Sequence, residues 1–322
     1  MIAEYFEPLA ANTPGSLGLK DDAAYLTDYG NRLIVTMDAL VAGVHFFADD
    51  TPEDIAWKAL AVNVSDLVAK GARPLSYTMA LALPGKPTRD WISNFALGLE
   101  KAQNTFGIGL LGGDTTATPG PLTIAITAFG RVGGRQMIRR HRARPGHGVY
   151  VSGTIGDAAL GLKLRRGDAD ALSWALDAEG REQLLQRYLR PVPRIALSDI
   201  MLNRAAASMD ISDGLIIDLT RLCHASGCGA RIEAAAIPMS APVLAGIASD
   251  VSMFARAITG GDDYEILCSV EPDNEASFKY YAAKAGVSVT KIGLITAEIG
   301  VEIIAPDGLP LAILAKGYEH FA

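Results

Sequence analysis

The chain has 322 residues, 49% of them hydrophobic and 20% charged, and a net charge of −7. That length carries two domains of ordinary size, and the acidic balance excludes a protein that wraps nucleic acid. No apolar run approaches the ~20 residues of a membrane span, the N-terminus MIAEYFEPLAANTPG lacks a secretory apolar core, and three cysteines (Cys223, Cys228, Cys268) are too few for a disulfide framework, so a cytoplasmic protein with reduced thiols is expected.

Strand and helix patterns alternate along the chain. RLIVTMDAL (32–40) reads as a strand and PEDIAWKALAVNVSDLVAKG (52–71) as a helix, with Pro52 in its first turn, acids after it and Gly71 as its stop. LSYTMALALP (75–84) is a buried strand and TRDWISNFALGLEKAQNTFG (88–107) a helix with apolar residues at helical spacing. IGLLGG (108–113) and LTIAITAFGRV (122–132) are further strands. GRVGGRQMIRRHRARPGHG (130–148) breaks the pattern with glycines, a proline and arginines, and marks a boundary between a domain at 1–135 and one at 136–322. The second domain opens with strand 148–153 and helices at 157–164, 181–189, 194–205 and 214–227. Strands follow at ARIEAAAI (230–237), YEILCSV (264–270) and VTKIGLIT (289–296), and a hairpin around Pro306-Asp307-Gly308 closes the pattern. The fold class is α/β, built as helix and sheet layers.

The carboxylates fall at particular places. Asp38 interrupts an apolar strand, and Asp66 lies in the apolar helix stretch NVSDLVA with Asn63 one turn before it. A bare carboxylate among Val, Leu and Ala costs several kcal/mol unless paired. Asp22, Asp114, Asp210, Asp213 and Asp262 sit beside Gly-rich or strand-terminal stretches, where ligands gather in open α/β sheets and where acids also serve turns. In SMDISDGL (208–215) two aspartates flank a serine at a strand end, a place where Ser and Asp also cap the following helix. No His or Cys cluster has zinc spacing, and a set of carboxylate oxygens suits Mg²⁺ or Mn²⁺ shared with substrate phosphates. The P-loop and kinase signatures are absent, and GIGLLG (107–112) runs into a strand instead of opening a helix, so it is not a dinucleotide fingerprint. Arg139, Arg140, Arg142 and Arg144 form either a phosphate grip or a solvated basic loop.

Taken in order, DDAA (21–24), TMDALVAGVHF (36–46), ALAVNVSDLVAKGARP (59–74), GLLGGDTT (109–116), RPG (144–146), YVSGTIGDAALGL (150–162), RPVPRI (190–195), MDISDGLIIDL (209–219), GGDDYE (260–265) and KGYEHF (316–321) resemble the thiamine-monophosphate kinase family. That family is a branch of the aminoimidazole ribonucleotide synthetase-like superfamily. The resemblance implies a two-domain fold, a homodimer joined through the N-terminal sheets, and ATP-dependent phosphorylation of thiamine monophosphate to thiamine diphosphate with several Mg²⁺ ions. Carried over residue by residue, it implies metal ligands at Asp22, Thr36, Met37 (through its carbonyl), Asp38, Asp66, Asp114, Asp210 and Asp213. It implies nucleotide contacts at Gly113, Asp114, Arg140 and Ser212, and substrate contacts at His45, Asp262 and Tyr318. Three positions depart from the family pattern: Lys20 stands where glycine is usual, Met37 where threonine is usual, and Asp262 where glutamate is usual.

The implied chemistry needs no strong general base. A phosphate monoester has a second pKa of about 6 and is already anionic at neutral pH, so repulsion between acceptor and γ-phosphate is the obstacle, and metal ions relieve it. The alternatives are another ATP-using member of the superfamily, or a nucleotide-binding partner protein without turnover. Selenophosphate synthesis is disfavoured because the N-terminal region has no cysteine, and the hydrogenase-maturation branch because GYEHFA ends without one.

Overall fold

The computed structural model describes residues 20–21, 23–26, 33–133 and 136–311, and the chain divides into two units at Met137–Ile138. Among the described residues no helix is long and apolar enough to cross a membrane.

The first unit contains strands β1 (Ala24–Leu26) and β2 (Leu33–Val41), helix α1 (Pro52–Ala69), β3 (Arg73–Leu83), α2 (Arg89–Phe106), β4 (Gly109–Ala117) and β5 (Thr123–Arg131). The sheet order is β1-β2-β5-β3-β4, antiparallel throughout except for the parallel β3–β4 pair. Thr51 caps α1, its hydroxyl accepting from the Asp54 amide, with Pro52 next in the first turn where a missing N–H costs nothing. Most of α1 is buried because it lies between the sheet and α2. The inward face of α2 is Phe95, Gly98, Leu99, Ala102 and Phe106, the three-and-four spacing of one helical stripe. Gly98 lets the helices touch: a Cβ there would come within 2.5 Å of the Glu53 carbonyl oxygen.

The second unit contains β6 (Gly148–Ser152), α3 (Asp157–Arg166), α4 (Ala169–Ser173), α5 (Ala178–Leu189), α6 (Ser198–Arg204), β7 (Ala205–Asp210), α7 (Leu215–Ser226), β8 (Gly229–Glu233), α8 (Ala241–Ser249), α9 (Ser252–Thr259), β9 (Ile266–Val270), α10 (Pro272–Lys284), β10 (Val289–Thr296) and β11 (Gly300–Ile304). Its sheet runs β11-β8-β10-β6-β9-β7, with only β8–β11 parallel. β6 and β9 are buried along their whole length. One side packs Val149, Val151 and Leu267 with Leu215, Leu219 and Leu222 of α7. On β6, Tyr150 alternates to the opposite side and meets Phe278 of α10 edge-on, 5.4 Å between ring centroids. A smaller core joins Leu160, Trp174, Leu184, Val243 and Met253.

Several boundaries differ from the sequence reading. Strand 230–237 ends at Glu233 and becomes a 3₁₀ turn at Ala234–Ala236, in a run of alanines without β-branched residues. Strand 264–270 begins only at Ile266, because Tyr264 has φ 49°. The helix at 194–205 is a 3₁₀ turn, Ile195–Leu197, followed by α6. The strand at 108–113 continues to Ala117, carrying Asp114 inside it; a register shift near Gly112 (φ 156°) absorbs the extra residue Leu111. At the C-terminal end β11 pairs in parallel, and the chain returns through a turn to an isolated antiparallel bridge, Ile304–Pro310.

Candidate active site

Strand periodicity sorts the first unit's candidates. Ile34, Thr36, Asp38 and Leu40 share the face of β2 that looks onto α1, while Met37 faces away and is 62% exposed. Two polar residues of α1, one turn apart, meet that face. Thr36 donates its hydroxyl to Asp66 Oδ2 at 2.5 Å, and Asn63 Oδ1 accepts the Asp38 amide at 3.0 Å. Asn63 is itself fully buried and donates back to the Ala59 carbonyl at 3.1 Å, so its amide is fixed from both ends. Thr36, Asp38 and Asp66 are therefore brought together by a strand and a helix, the elements in which the sequence pattern places them. The Asp66 carboxylate is tolerated within an apolar helix because the Thr36 hydroxyl takes the place of water.

Asp114 departs from the strand-end expectation: it is exposed in the middle of edge strand β4, with Oδ1 accepting the Thr115 amide at 2.9 Å. Gly113 beside it has no room for a side chain, since a Cβ would run into the Met79 carbonyl oxygen. His45 sits in the turn after β2, where its Nδ1 accepts the Val41 amide at 3.0 Å, placing the proton of the neutral ring on Nε2. Asp22 lies outside the described residues. Its neighbour Asp21 pairs at 2.6 Å with Lys70, a lysine of 0% exposure at the end of α1.

In the second unit Asp210 ends β7, 3% exposed, and Ser212 and Asp213 lie in the bend before α7. Gly214, at φ 120°, turns the chain into the helix. Asp218, one turn into α7 and fully buried, holds that bend: its Oδ2 accepts the Asp213 amide at 3.0 Å and the Gly214 amide at 3.2 Å. Burial pushes the Asp218 carboxyl up to about 7, with the Asp213 charge adding to the effect. Arg221 bridges the two acids, reaching Asp218 Oδ1 at 3.0 Å and Asp213 Oδ2. Neither Asp218 nor Arg221 stands out in the sequence as a site residue. Their only signal is spacing: they follow the Asp213 bend closely and stand three apart, one turn, on α7.

Asp262 lies in the bend after α9 with φ 70°, donates its amide to the Ser212 carbonyl at 2.8 Å, and accepts the Tyr264 hydroxyl on Oδ1 at 3.3 Å. Ser212 and Asp262 are thus adjacent. Arg140 is not placed with them by its main chain. Its carbonyl accepts from Ser226 Oγ at 2.6 Å, at the end of α7 far from Gly214, roughly 18 Å of helix at ~1.5 Å per residue. Tyr318 lies outside the described residues.

Every metal candidate offers oxygen, the donor that suits a hard divalent cation. Among the described residues no group of three or more His, Cys, Asp or Glu side chains stands close enough to hold an ion. Each unit by itself presents its donors as short runs: Thr36 with Asp66 near Asp38, and Asp210 near Asp213. The donor chemistry fits Mg²⁺.

Two domain families match the chain: the AIR synthase related protein N-terminal domain over residues 20–132 and the C-terminal domain over 144–305. The thiamine-monophosphate kinase of Caulobacter vibrioides is 40% identical over 93% of this chain and 84% of its own length. That of Salmonella typhimurium is 38% identical over 100% of this chain and 97% of its own. Among solved structures, AaThiL complexed with AMPPCP and TMP superposes with a TM-score of 0.82 at 30% identity, covering 95% of this chain and 97% of that one. The thiamine-monophosphate kinase of Stenotrophomonas maltophilia K279a superposes at 0.78 with 36% identity, covering 96% and 98%. Both domains in order, and kinases matched from end to end, lead to one conclusion: the chain belongs to the AIR synthase related family, in its thiamine-monophosphate kinase branch.

Proposed function

We propose that this protein phosphorylates thiamine monophosphate to thiamine diphosphate with ATP. The observation that carries this reading is the end-to-end match to thiamine-monophosphate kinases, together with a structural neighbour that holds both AMPPCP and TMP. The reaction forms a bond between the acceptor's phosphate oxygen and the γ-phosphorus and breaks the γ-phosphorus bond to the ADP oxygen. The acceptor oxygen is anionic at neutral pH, so no side chain has to take its proton. Mg²⁺, when bound, neutralises the two phosphates and lets them approach in line.

The chain's own residues hold and orient. Asp22, Thr36, Asp38, Asp66, Asp114, Asp210 and Asp213, with the Met37 carbonyl, are the proposed cation ligands. Within this set Thr36 fixes the Asp66 carboxylate, Asn63 fixes the Asp38 main chain and Asp218 fixes the Asp213 bend. Gly113, Asp114, Arg140 and Ser212 are the proposed nucleotide contacts. Gly113 keeps the backbone clear within its strand, and His45, whose Nδ1 accepts the Val41 amide, is a proposed substrate contact. Asp262 and Tyr318 are proposed for the thiazolium cation, by charge and by an aromatic face. A homodimer through the first sheet is part of the proposal. Its β2 and β5 face away from α1 with Val35, Met37, Ala39, Thr127 and Phe129, a surface only half-buried or exposed in the single chain. We place the enzyme in the cytoplasm.

The test is product formation. Mixing the protein with ATP, Mg²⁺ and thiamine monophosphate should release one ADP per thiamine diphosphate. ADP release that does not depend on thiamine monophosphate, or none at all from folded protein, overturns the reading.

A further inference from the structure

β7 and β9 pair antiparallel as far as Asp210 and Ile266, and the ladder continues past both strand ends. The Ile211 amide donates to the Glu265 carbonyl, the Tyr264 amide to the Ile211 carbonyl and the Asp262 amide to the Ser212 carbonyl, each at 2.8 Å. Ser212 and Asp262 therefore face each other on the last rung of one ladder. Reaching that rung puts Asp262 at φ 70° and Tyr264 at φ 49°, two non-glycine residues in the left-handed region within three positions. Gly261 makes the close approach, since a Cβ there would run into the Ser212 carbonyl oxygen.

Such a backbone persists only where its surroundings over-determine it. Two buried acids supply that constraint. Asp263, 1% exposed, accepts the Gly156 amide at 2.8 Å and the Ala158 amide at 3.3 Å, which ties the loop to the N-terminus of α3. Glu265, 0% exposed, has both oxygens engaged: Ser152 Oγ at 2.5 Å and Arg194 Nε at 2.7 Å on Oε2, Arg187 Nη2 at 2.7 Å and Arg194 Nη2 on Oε1. Between these anchors the Tyr264 hydroxyl reaches back to Asp262 Oδ1 at 3.3 Å.

We propose that Asp263 and Tyr264 are positioning residues for the Asp262 carboxylate. Asp263 fixes the loop's backbone against α3, and Tyr264 orients the carboxylate, so that the substrate-facing acid is held on the same rung as the nucleotide-facing serine. The inference deepens the proposed function and rests on its assignment of Asp262 to the thiazolium and Ser212 to the nucleotide. It also explains how an acid one methylene shorter than glutamate keeps its aim: the tyrosine holds it from the side.

The test compares Tyr264→Phe, Asp263→Asn and Asp262→Ala, singly and as double variants with Asp262→Ala. Tyr264→Phe removes one hydroxyl and no charge. It should raise the thiamine-monophosphate KM about threefold or more, the low end of what one long hydrogen bond contributes, with the ATP KM and kcat unchanged. Asp263→Asn cannot accept from both amides. It should raise both KM values, because the ladder it anchors carries Ser212 as well, and it should speed amide exchange at residues 262 and 264. In the Asp262→Ala background Tyr264→Phe should have no further effect on the thiamine-monophosphate KM, since the carboxylate that it orients is gone. An unchanged thiamine-monophosphate KM in Tyr264→Phe, beside a raised one in Asp262→Ala, overturns the positioning role. So does a Tyr264→Phe effect that adds in full to that of Asp262→Ala. If Asp262→Ala itself leaves that KM unchanged, the fault lies in the pocket assignment, and the amide exchange of Asp263→Asn still decides the anchoring. Should Asp263→Asn fail to fold, Tyr264→Phe and its double variant carry the decision.

Discussion

Lys70→Met is the sharpest single perturbation of the first unit. The Lys70 ammonium has 0% exposure and lies 2.6 Å from Asp21 Oδ1, whose side chain is 5% exposed. At that separation and an effective dielectric constant of ~20 the pair attracts by about 6 kcal/mol. Desolvation of the two charges consumes much of this, so the pair as a whole stabilises little. Removing only the lysine is different, because it takes the opposite charge away from a buried carboxylate, a loss of about 3–5 kcal/mol. With a urea slope of ~2 kcal/mol/M, that moves the unfolding midpoint down by about 1.5–2.5 M. Methionine has nearly the lysine stem's volume, so lost packing contributes little. The double variant Lys70→Met/Asp21→Asn should recover most of the loss, since the amide carries no charge. Urea titrations of wild type, both single variants and the double variant decide it. A Lys70→Met loss under about 1 kcal/mol, or a double variant no more stable than Lys70→Met, would show that the ion pair is not what holds this residue inside.

Three further outcomes follow from the structure. Asp66→Asn should abolish turnover with the fold intact and weaken Mn²⁺ binding measured by paramagnetic resonance, while wild-type activity should vanish in EDTA; full activity in EDTA refutes the metal role. Transfer of a chiral γ-phosphate should invert configuration, as a single in-line displacement requires, and retention would point to a phospho-enzyme. The Asp170 carboxyl is held at about 2, first by the hydrogen bond from Lys163 against the opposing effect of desolvation, with Arg256 adding to it. Its unfolded value is near 4, so its contribution is present above that pH and is lost as pH falls toward 2. Asp170→Asn should flatten the acid limb of the stability curve in that window, and an unchanged limb refutes the assignment.

Much of this protein is legible in its chain order. Thr51-Pro52 and Thr88 announce helix starts, and Gly107 and Gly227, both left-handed in the structure, announce helix ends. The period-two pattern of 32–40 places Thr36 and Asp38 on one face and Met37 on the other before any coordinate is known. The order of GLLGGDTT, MDISDGL and GGDDYE carries the resemblance to the family. Other elements left little trace. α10 buries only Phe278 and Ala282, too few for a visible stripe. α8 and α9 are separated only by Asp250 and Val251, and α8 is apolar on most sides, so neither shows a clean period.

What the tertiary structure decided is which carboxylates are partnered and by what. In the sequence Asp213, Asp218, Asp263 and Glu265 are four similar acids near glycines or helices. In the fold Asp218 is sealed under the Asp213 bend, Asp263 caps a helix contributed by residues a hundred positions earlier, and Glu265 is closed in by two arginines and a serine. Local pattern cannot assign these roles, because a carboxylate's cost or use depends on what replaces its water, and those partners arrive from distant segments only when the sheet has closed. The β7–β9 register is of the same kind. It sets Ser212 opposite Asp262 through main-chain bonds that carry no side-chain signature, and so it belongs to the folded chain alone.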